Sequence, residues 1–164
     1  MFVTIMKYTI REANRSDIPA ILGLVQELAE YEKEPEAVEV SVAQMQEDGF
    51  GNHPKFHCFV AERGSDIIGM ALVYPRYSTW KGEVLHLEDL IITEAERGGG
   101  AGTALLNAVV NYGHSMGVKR ISWEVLDWND PAIDFYESKG ARVMRDWDVV
   151  QLDEEGIKNY IDRI

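Results

Sequence analysis

Arg97-Gly98-Gly99-Gly100-Ala101-Gly102 stands between a stretch that reads as a long strand, residues 83–93, and a segment of helical periodicity, residues 100–116. A strand that turns on glycines into a helix builds an anion site. Residues without Cβ let the backbone close on a phosphate, and the unpaired N–H groups of the first helical turn point at it. The spacing separates this turn from two better-known phosphate loops. A P-loop carries Lys after its last glycine, and here Thr103 follows Gly102. A dinucleotide fingerprint needs Gly at the sixth position and opens the first βαβ unit. Counting from Gly98, the sixth residue is Thr103, and the turn lies past the chain midpoint.

Working outward, residues 8–12 alternate as a first strand. Ser16-Asp17-Ile18-Pro19 opens a helix with Ser16 as N-cap, and Ile18, Ile21, Leu22, Val25, Leu28 and Ala29 give it one apolar stripe as far as Tyr31. Ser41-Val42-Ala43-Gln44 resembles a capping box opening a short second helix, which ends at Gly49-Phe50-Gly51-Asn52-His53-Pro54. Residues 56–62 and 67–77 flank Arg63-Gly64-Ser65-Asp66 as an antiparallel hairpin. The long strand 83–93 follows, then the glycine turn and its helix, stopped by Gly117. Residues 119–126 predict a strand. Asn129-Asp130-Pro131 caps a helix running to Lys139, and Gly140 ends it. Residues 142–152 predict a last strand or hairpin. The order β-α-α-β-β-β-α-β-α-β, antiparallel in the middle with the two later helices as crossovers, predicts an α+β fold: a mixed α/β sheet flanked by about four helices.

The 164 residues suit one domain, 1–164, and 46% apolar with 27% charged residues is ordinary for a globular chain. No apolar run reaches membrane-spanning length. The start, residues 1–7, is too short and weakly apolar for a signal peptide, which predicts a cytoplasmic location. A net charge of −12 argues against a nucleic-acid surface. It also means that an anionic ligand must be held locally, by backbone dipoles. From Glu27 to Asp48 eight acids face one Lys33, which reads either as a solvated face or as a field drawing in a small cation. Cys58, the single cysteine, excludes a disulfide framework and reads as a core residue. His53, His57, His86 and His114 lack metal-ligand spacing, so no metal is expected.

The glycine turn resembles the Arg/Gln-x-x-Gly-x-Gly/Ala pyrophosphate loop of the GNAT superfamily of N-acetyltransferases. Glu27-Leu28-Ala29-Glu30-Tyr31-Glu32, Glu47-Asp48-Gly49-Phe50-Gly51, His57-Cys58, Leu87-Glu88-Asp89 and Asp134-Phe135-Tyr136 are similar to its spermidine/spermine (diamine) branch. Tyr77-Ser78-Thr79-Trp80-Lys81-Gly82 and Val125-Leu126-Asp127-Trp128-Asn129 are closer to the thialysine acetyltransferases. The resemblance spans nearly the whole chain and weakens after Gly140.

It implies the GNAT acyl-CoA N-acyltransferase fold and direct transfer of acetyl from acetyl-CoA to a primary amine. An alkyl ammonium must lose a proton before it attacks, the oxyanion needs donors and the leaving thiolate gains from a proton. Glu88 is the candidate base, directly or through water, and Tyr136 the candidate acid. Asp89, next in the strand, faces the other way unless a bulge intervenes. The resemblance implies such a bulge, with the backbone of Leu90, Ile91 and Ile92 turned to the cofactor. Arg97, Gly98, Gly99, Gly100, Ala101, Gly102 and Thr103, with Asn129, Pro131, Ala132 and Tyr136, are the implied acetyl-CoA contacts. Tyr31, Glu32, Trp80, Glu88 and Glu124 are the implied acceptor lining. Ser78 stands where the polyamine enzymes carry an acid, which favours a shorter, lysine-like amine. A small-molecule amine and a homodimer are the implied partners, with neither nucleic acid nor membrane. A protein amino group as acceptor, and a non-catalytic CoA-binding module, remain as alternatives.

Overall fold

A computed structural model describes residues 8–164. The opening segment 1–7, read above for leader character, lies outside them. The contacts divide the chain into two compact units, one running up to Glu124 and the other Val125–Ile164.

The first unit is a five-stranded sheet in the order β1 (Thr9–Glu12), β2 (His57–Arg63), β3 (Asp66–Ser78), β4 (Gly82–Ile92), β5 (Ile121–Ser122). The first three pairings are antiparallel and β4–β5 is parallel, so the sheet is mixed as expected. Period-two alternation sorts the strand residues between two covers. Cys58, Val60, Met70, Leu72 and Ile91 pack with Ile18, Ile21 and Leu24 of α1 (Ile18–Tyr31) and Met45 of α2 (Val42–Phe50). α3 (Ala101–Ser115) covers the other face, where Tyr112 stacks on His57 and meets the Phe59 ring edge-on. Cys58 is buried, and burial pushes its thiol up to about 12, so it stays protonated.

Two local expectations change in this unit. Ser16 does not cap α1. Asn14 accepts from the Ser16 N–H and Asp17 accepts from the Asn14 N–H, closing a capping box around a 3-10 turn, Arg15–Asp17, before α1 begins. Asp17 is held there because Arg11 grips it at 2.7 and 2.9 Å while also binding Glu62. Ser41 does cap α2, through the Gln44 N–H. The strand expected over 119–126 shrinks to Ile121–Ser122. Its pairing stops at His86–Ser122, just before the β4 bulge.

In the second unit, Asn129 caps α4 (Asp130–Ser138) through the Ala132 N–H, with Pro131 in the first turn. Gly140 leaves it at φ 89°. The strand expected over 142–152 does not form. A β pattern becomes a strand only beside a ladder partner, and Asp146 and Asp148 interrupt this one. α4 is therefore not a crossover between strands. An unforeseen helix, α5 (Glu154–Ile161), follows instead, capped by Asp153 through the Gly156 N–H. Among the described residues, no helix is long and apolar enough to cross a membrane.

Candidate active site

Two adjacent residues of a regular strand point to opposite faces, so Glu88 and Asp89 can share a site only if β4 is irregular. It is. Leu72 of β3 pairs with Asp89, and Val73 with Leu87, so Glu88 is the extra residue of a β-bulge. Both carboxylates then line one cavity of about 430 Å³ on the α1–α2 side of the sheet. Its apolar walls are Val25, Val40, Met45, Phe56 and Leu72, and its polar groups are Asp48, Lys55, Tyr74, Glu88 and Asp89.

The two carboxylates differ sharply in environment. Glu88 is exposed and accepts a 2.9 Å hydrogen bond from the Tyr74 hydroxyl. Burial first, and that hydrogen bond second, push the Tyr74 phenol up to about 12, so it remains a donor. His86 Nε2 lies 3.5 Å from the same Glu88 oxygen. Burial holds the His86 ring below its ordinary pKa, against the pull of Glu88, so it is neutral near pH 7. Asp89 is half-buried beneath them. Desolvation, then the charges of Glu88 and Glu32, raise its carboxyl to about 6. Glu32, at the end of α1, is itself raised by partial desolvation. Glu32, Glu88 and Asp89 thus form one acidic field that favours a cation.

β4 continues from the bulge through Leu90, Ile91 and Ile92 into the glycine turn. Among the described residues, β5 pairs with β4 only at Leu85 and His86, ahead of the bulge. Gly98 and Gly100 adopt φ of 81° and 87°, conformations that disfavour any side chain. Gly100 is also the N-cap of α3, and having no side chain it cannot cap the free N–H groups of Ala101, Gly102 and Thr103. That open helix start fits a pyrophosphate. Arg97 anchors the turn: its Nε donates to the Ile92 carbonyl at 3.0 Å, and its guanidinium lies 5.3 Å from the centre of the Tyr31 ring.

The remaining expected residues are spread out. Tyr31 and Glu32 end α1 on the acidic side of the site. Glu124 lies close enough to add to the field on Tyr74 and His86. Trp80 stands at the tip of the β3–β4 hairpin, 79% exposed. Asn129, Pro131, Ala132 and Tyr136 belong to α4 in the second unit, where the half-buried Tyr136 ring packs at 5.3 Å from Phe135. Sequence reasoning overlooked Tyr74, Asp48, Lys55 and Phe56. It also overlooked Glu27, which accepts from the Thr93 hydroxyl and the Glu94 N–H, both at 2.9 Å, and ties α1 to the entry of the glycine turn. Two stretches already prominent in the sequence, Glu27-Leu28-Ala29-Glu30-Tyr31-Glu32 and Glu47-Asp48-Gly49-Phe50-Gly51, contain Glu27 and Asp48.

A bulged strand carrying a carboxylate pair, followed by an uncapped glycine-rich helix start, offers an acidic cavity suited to a cation beside a turn suited to a phosphate. The chain belongs to the acetyltransferase (GNAT) family, whose sequence pattern matches residues 20–141. It is therefore an acetyl-CoA-dependent N-acetyltransferase. Over 141 residues it is 40% identical to the thialysine N-epsilon-acetyltransferase of Sus scrofa, covering 81% of this chain and 83% of that one. The Bos taurus protein of the same name is 36% identical over 160 residues, covering 91% and 94%. In fold, an integron cassette protein from the mobile metagenome of V. cholerae superimposes with a TM-score of 0.78 at 20% identity, covering 96% and 99%.

Proposed function

We propose that this enzyme acetylates the terminal primary amine of a small, lysine-like or diamine substrate, and that Glu88 and Tyr136 carry the proton transfers. The observation that carries the reading is the bulge at Glu88, which turns two neighbouring carboxylates into one cavity walled by aliphatic groups. Alkyl stems suit such walls and an ammonium suits the acids. The names of the curated relatives support the same acceptor class.

Acetyl-CoA supplies an acetyl group activated as a thioester. Gly98 to Thr103 bind its pyrophosphate through main-chain N–H groups, with Arg97 holding the turn in shape. The backbone of Leu90, Ile91 and Ile92 aligns its amide-bearing arm. Asn129, Pro131 and Ala132 contribute from the start of α4. Glu88 attracts the acceptor ammonium and takes its proton, directly or through one water, as the nitrogen attacks. The Tyr74 hydroxyl keeps the Glu88 carboxylate aimed. Tyr136 holds the proton that the departing sulfur requires. Tyr31, Glu32, Trp80 and Glu124 shape the acceptor side. The reading includes a homodimer at work in the cytoplasm. Acetyl-CoA incubated with a panel of short diamines, lysine analogues and polyamines should release thiol in proportion to acetylated amine. Transfer only to peptides, or saturable CoA binding without turnover, would overturn it.

A further inference from the structure

Leu85 and Leu87 are buried in β4, and the residue between them is a histidine, His86, only 6% exposed. An imidazole costs more to bury than a leucine or phenylalanine filling the same space, unless its nitrogens find partners. Both nitrogens have one within reach. Nδ1 lies 3.4 Å from Ser122 Oγ, and Nε2 lies 3.5 Å from Glu88 Oε2.

Strand pairing produces this arrangement. His86 stands directly opposite Tyr74 of β3 on one side and Ser122 of β5 on the other. Opposed residues share a face of a sheet, so the three side chains form one polar row across three strands. The Tyr74 and His86 rings lie 5.1 Å apart. The row borders the bulge, where Tyr74 donates at 2.9 Å to the same Glu88 oxygen that His86 approaches. An ionised carboxylate only accepts, so Nε2 must carry the ring hydrogen, and Nδ1 then accepts from the Ser122 hydroxyl. The other charges acting on the ring are Arg76 of β3 and Glu124, just past β5. Desolvation keeps the imidazole neutral despite Glu88. It therefore offers the carboxylate a donor without a cation that would repel an incoming ammonium.

We propose that His86 is a positioning residue for acetyl transfer: anchored by Ser122, it joins Tyr74 in fixing Glu88 Oε2, so that Oε1 meets the acceptor ammonium. The proton leaves the nitrogen for Oε1, while the His86 N–H and the Tyr74 O–H stay intact. The lone pair so freed forms the C–N bond to the thioester carbon as the C–S bond breaks. The 3.5 Å approach of Nε2 is long, and catalytic hydrogen bonds of this kind tighten when substrate binds. The inference rests on the acceptor reading above, because His86 acts through Glu88.

Two measurements test it. Heteronuclear NMR of the imidazole nitrogens, with the His86 signals assigned by their loss in His86→Gln, reads the tautomer in the unmodified enzyme near neutral pH. Hydrogen on Nε2 is expected, and hydrogen on Nδ1 would overturn the proposal even if other variants fail to fold. Steady-state kinetics with acetyl-CoA and S-(2-aminoethyl)-L-cysteine reads the role. A hydrogen bond to a charged group is worth about tenfold or more, so His86→Phe should lower kcat by about that factor with the KM for acetyl-CoA unchanged. His86→Gln, which keeps an N–H, should recover most of the rate. Added to Glu88→Gln, His86→Phe should cost little further, because its effect passes through the carboxylate. Unchanged kcat in His86→Phe, equal losses in the two His86 variants at unchanged urea midpoints, or a full further loss in the Glu88→Gln background would overturn the proposal. A Glu88→Gln enzyme as fast as the parent would instead remove the acceptor reading itself, and this inference with it.

Discussion

Asp89→Asn should make the protein more stable and the enzyme slower. The ordinary carboxyl value of 3.8 is raised to about 6 at Asp89, chiefly by burial. In the native state this group holds its proton more tightly than in the unfolded chain. Ionising it therefore costs stability: the penalty is absent below about pH 4, grows as pH rises through the interval to 6, and is complete above it. A shift of about two units at 1.36 kcal/mol each sets an upper figure of about 3 kcal/mol. Water reaching the half-buried side chain lowers this to between about 1 and 3 kcal/mol. The amide is nearly isosteric and never ionises, so Asp89→Asn should gain that amount at about pH 7.5 and almost nothing at about pH 4. Urea titrations of both proteins at the two pH values measure the difference directly. Loss of the Asp89 charge should also weaken acceptor binding. A variant less stable than the parent at pH 7.5, or a gain independent of pH, would refute the assignment of Asp89 as a carboxyl strained by desolvation.

The other expectations concern proton transfer, acid stability and the glycine turn. Glu88→Gln should lower kcat by about 10² or more, and Tyr136→Phe by about 10² or less, with acetyl-CoA affinity retained in both. Steady-state kinetics with direct CoA binding separates the effects, and unchanged rates would remove both roles. Asp17 is held below the usual carboxylate range, first by its hydrogen bonds from Arg11, so its stabilisation is present above its unfolded value and lost as pH falls through the lowered one. Asp17→Ala should therefore cost about 3 kcal/mol near neutrality, because it leaves the Arg11 guanidinium without its main partner, and the cost should fade in acid. Gly100→Ala places a Cβ at φ 87° and should cost about 1–2 kcal/mol of stability together with a measurable loss of CoA affinity by calorimetry.

Much of this architecture can be read from residues whose chemistry acts locally. Ser41 and Asn129 cap helices because a side-chain oxygen meets an N–H two or three positions on, whatever the rest of the chain does. The glycine turn is legible for the same reason. The errors arise where a distant partner decides. Asn14 displaces Ser16 as cap because Asp17 is committed to Arg11, which also holds Glu62 of the neighbouring strand. Residues 142–152 alternate like a strand but lack a ladder, and the Asp153 cap that starts α5 was overshadowed by that pattern. In the site, Glu88 stood out by its place before the glycine turn. The partnership of Asp89 depends on a one-residue register shift against Leu72 and Val73, which only the pairing of β3 with β4 displays. Tyr74, Asp48 and Lys55 come from three separate segments, so no sequence spacing joins them to Glu88.

Service of the bulged carboxylate pair in acetyl transfer to a small amine is measured most directly by following thiol release and acceptor acetylation together, using acetyl-CoA and S-(2-aminoethyl)-L-cysteine, in the unmodified enzyme and in Glu88→Gln. Free CoA and acetylated amine should appear in equal amounts, with a loss of about 10² or more in the variant and CoA binding preserved. Turnover unaffected by Glu88→Gln, or thiol release without acetylated amine, would contradict that role.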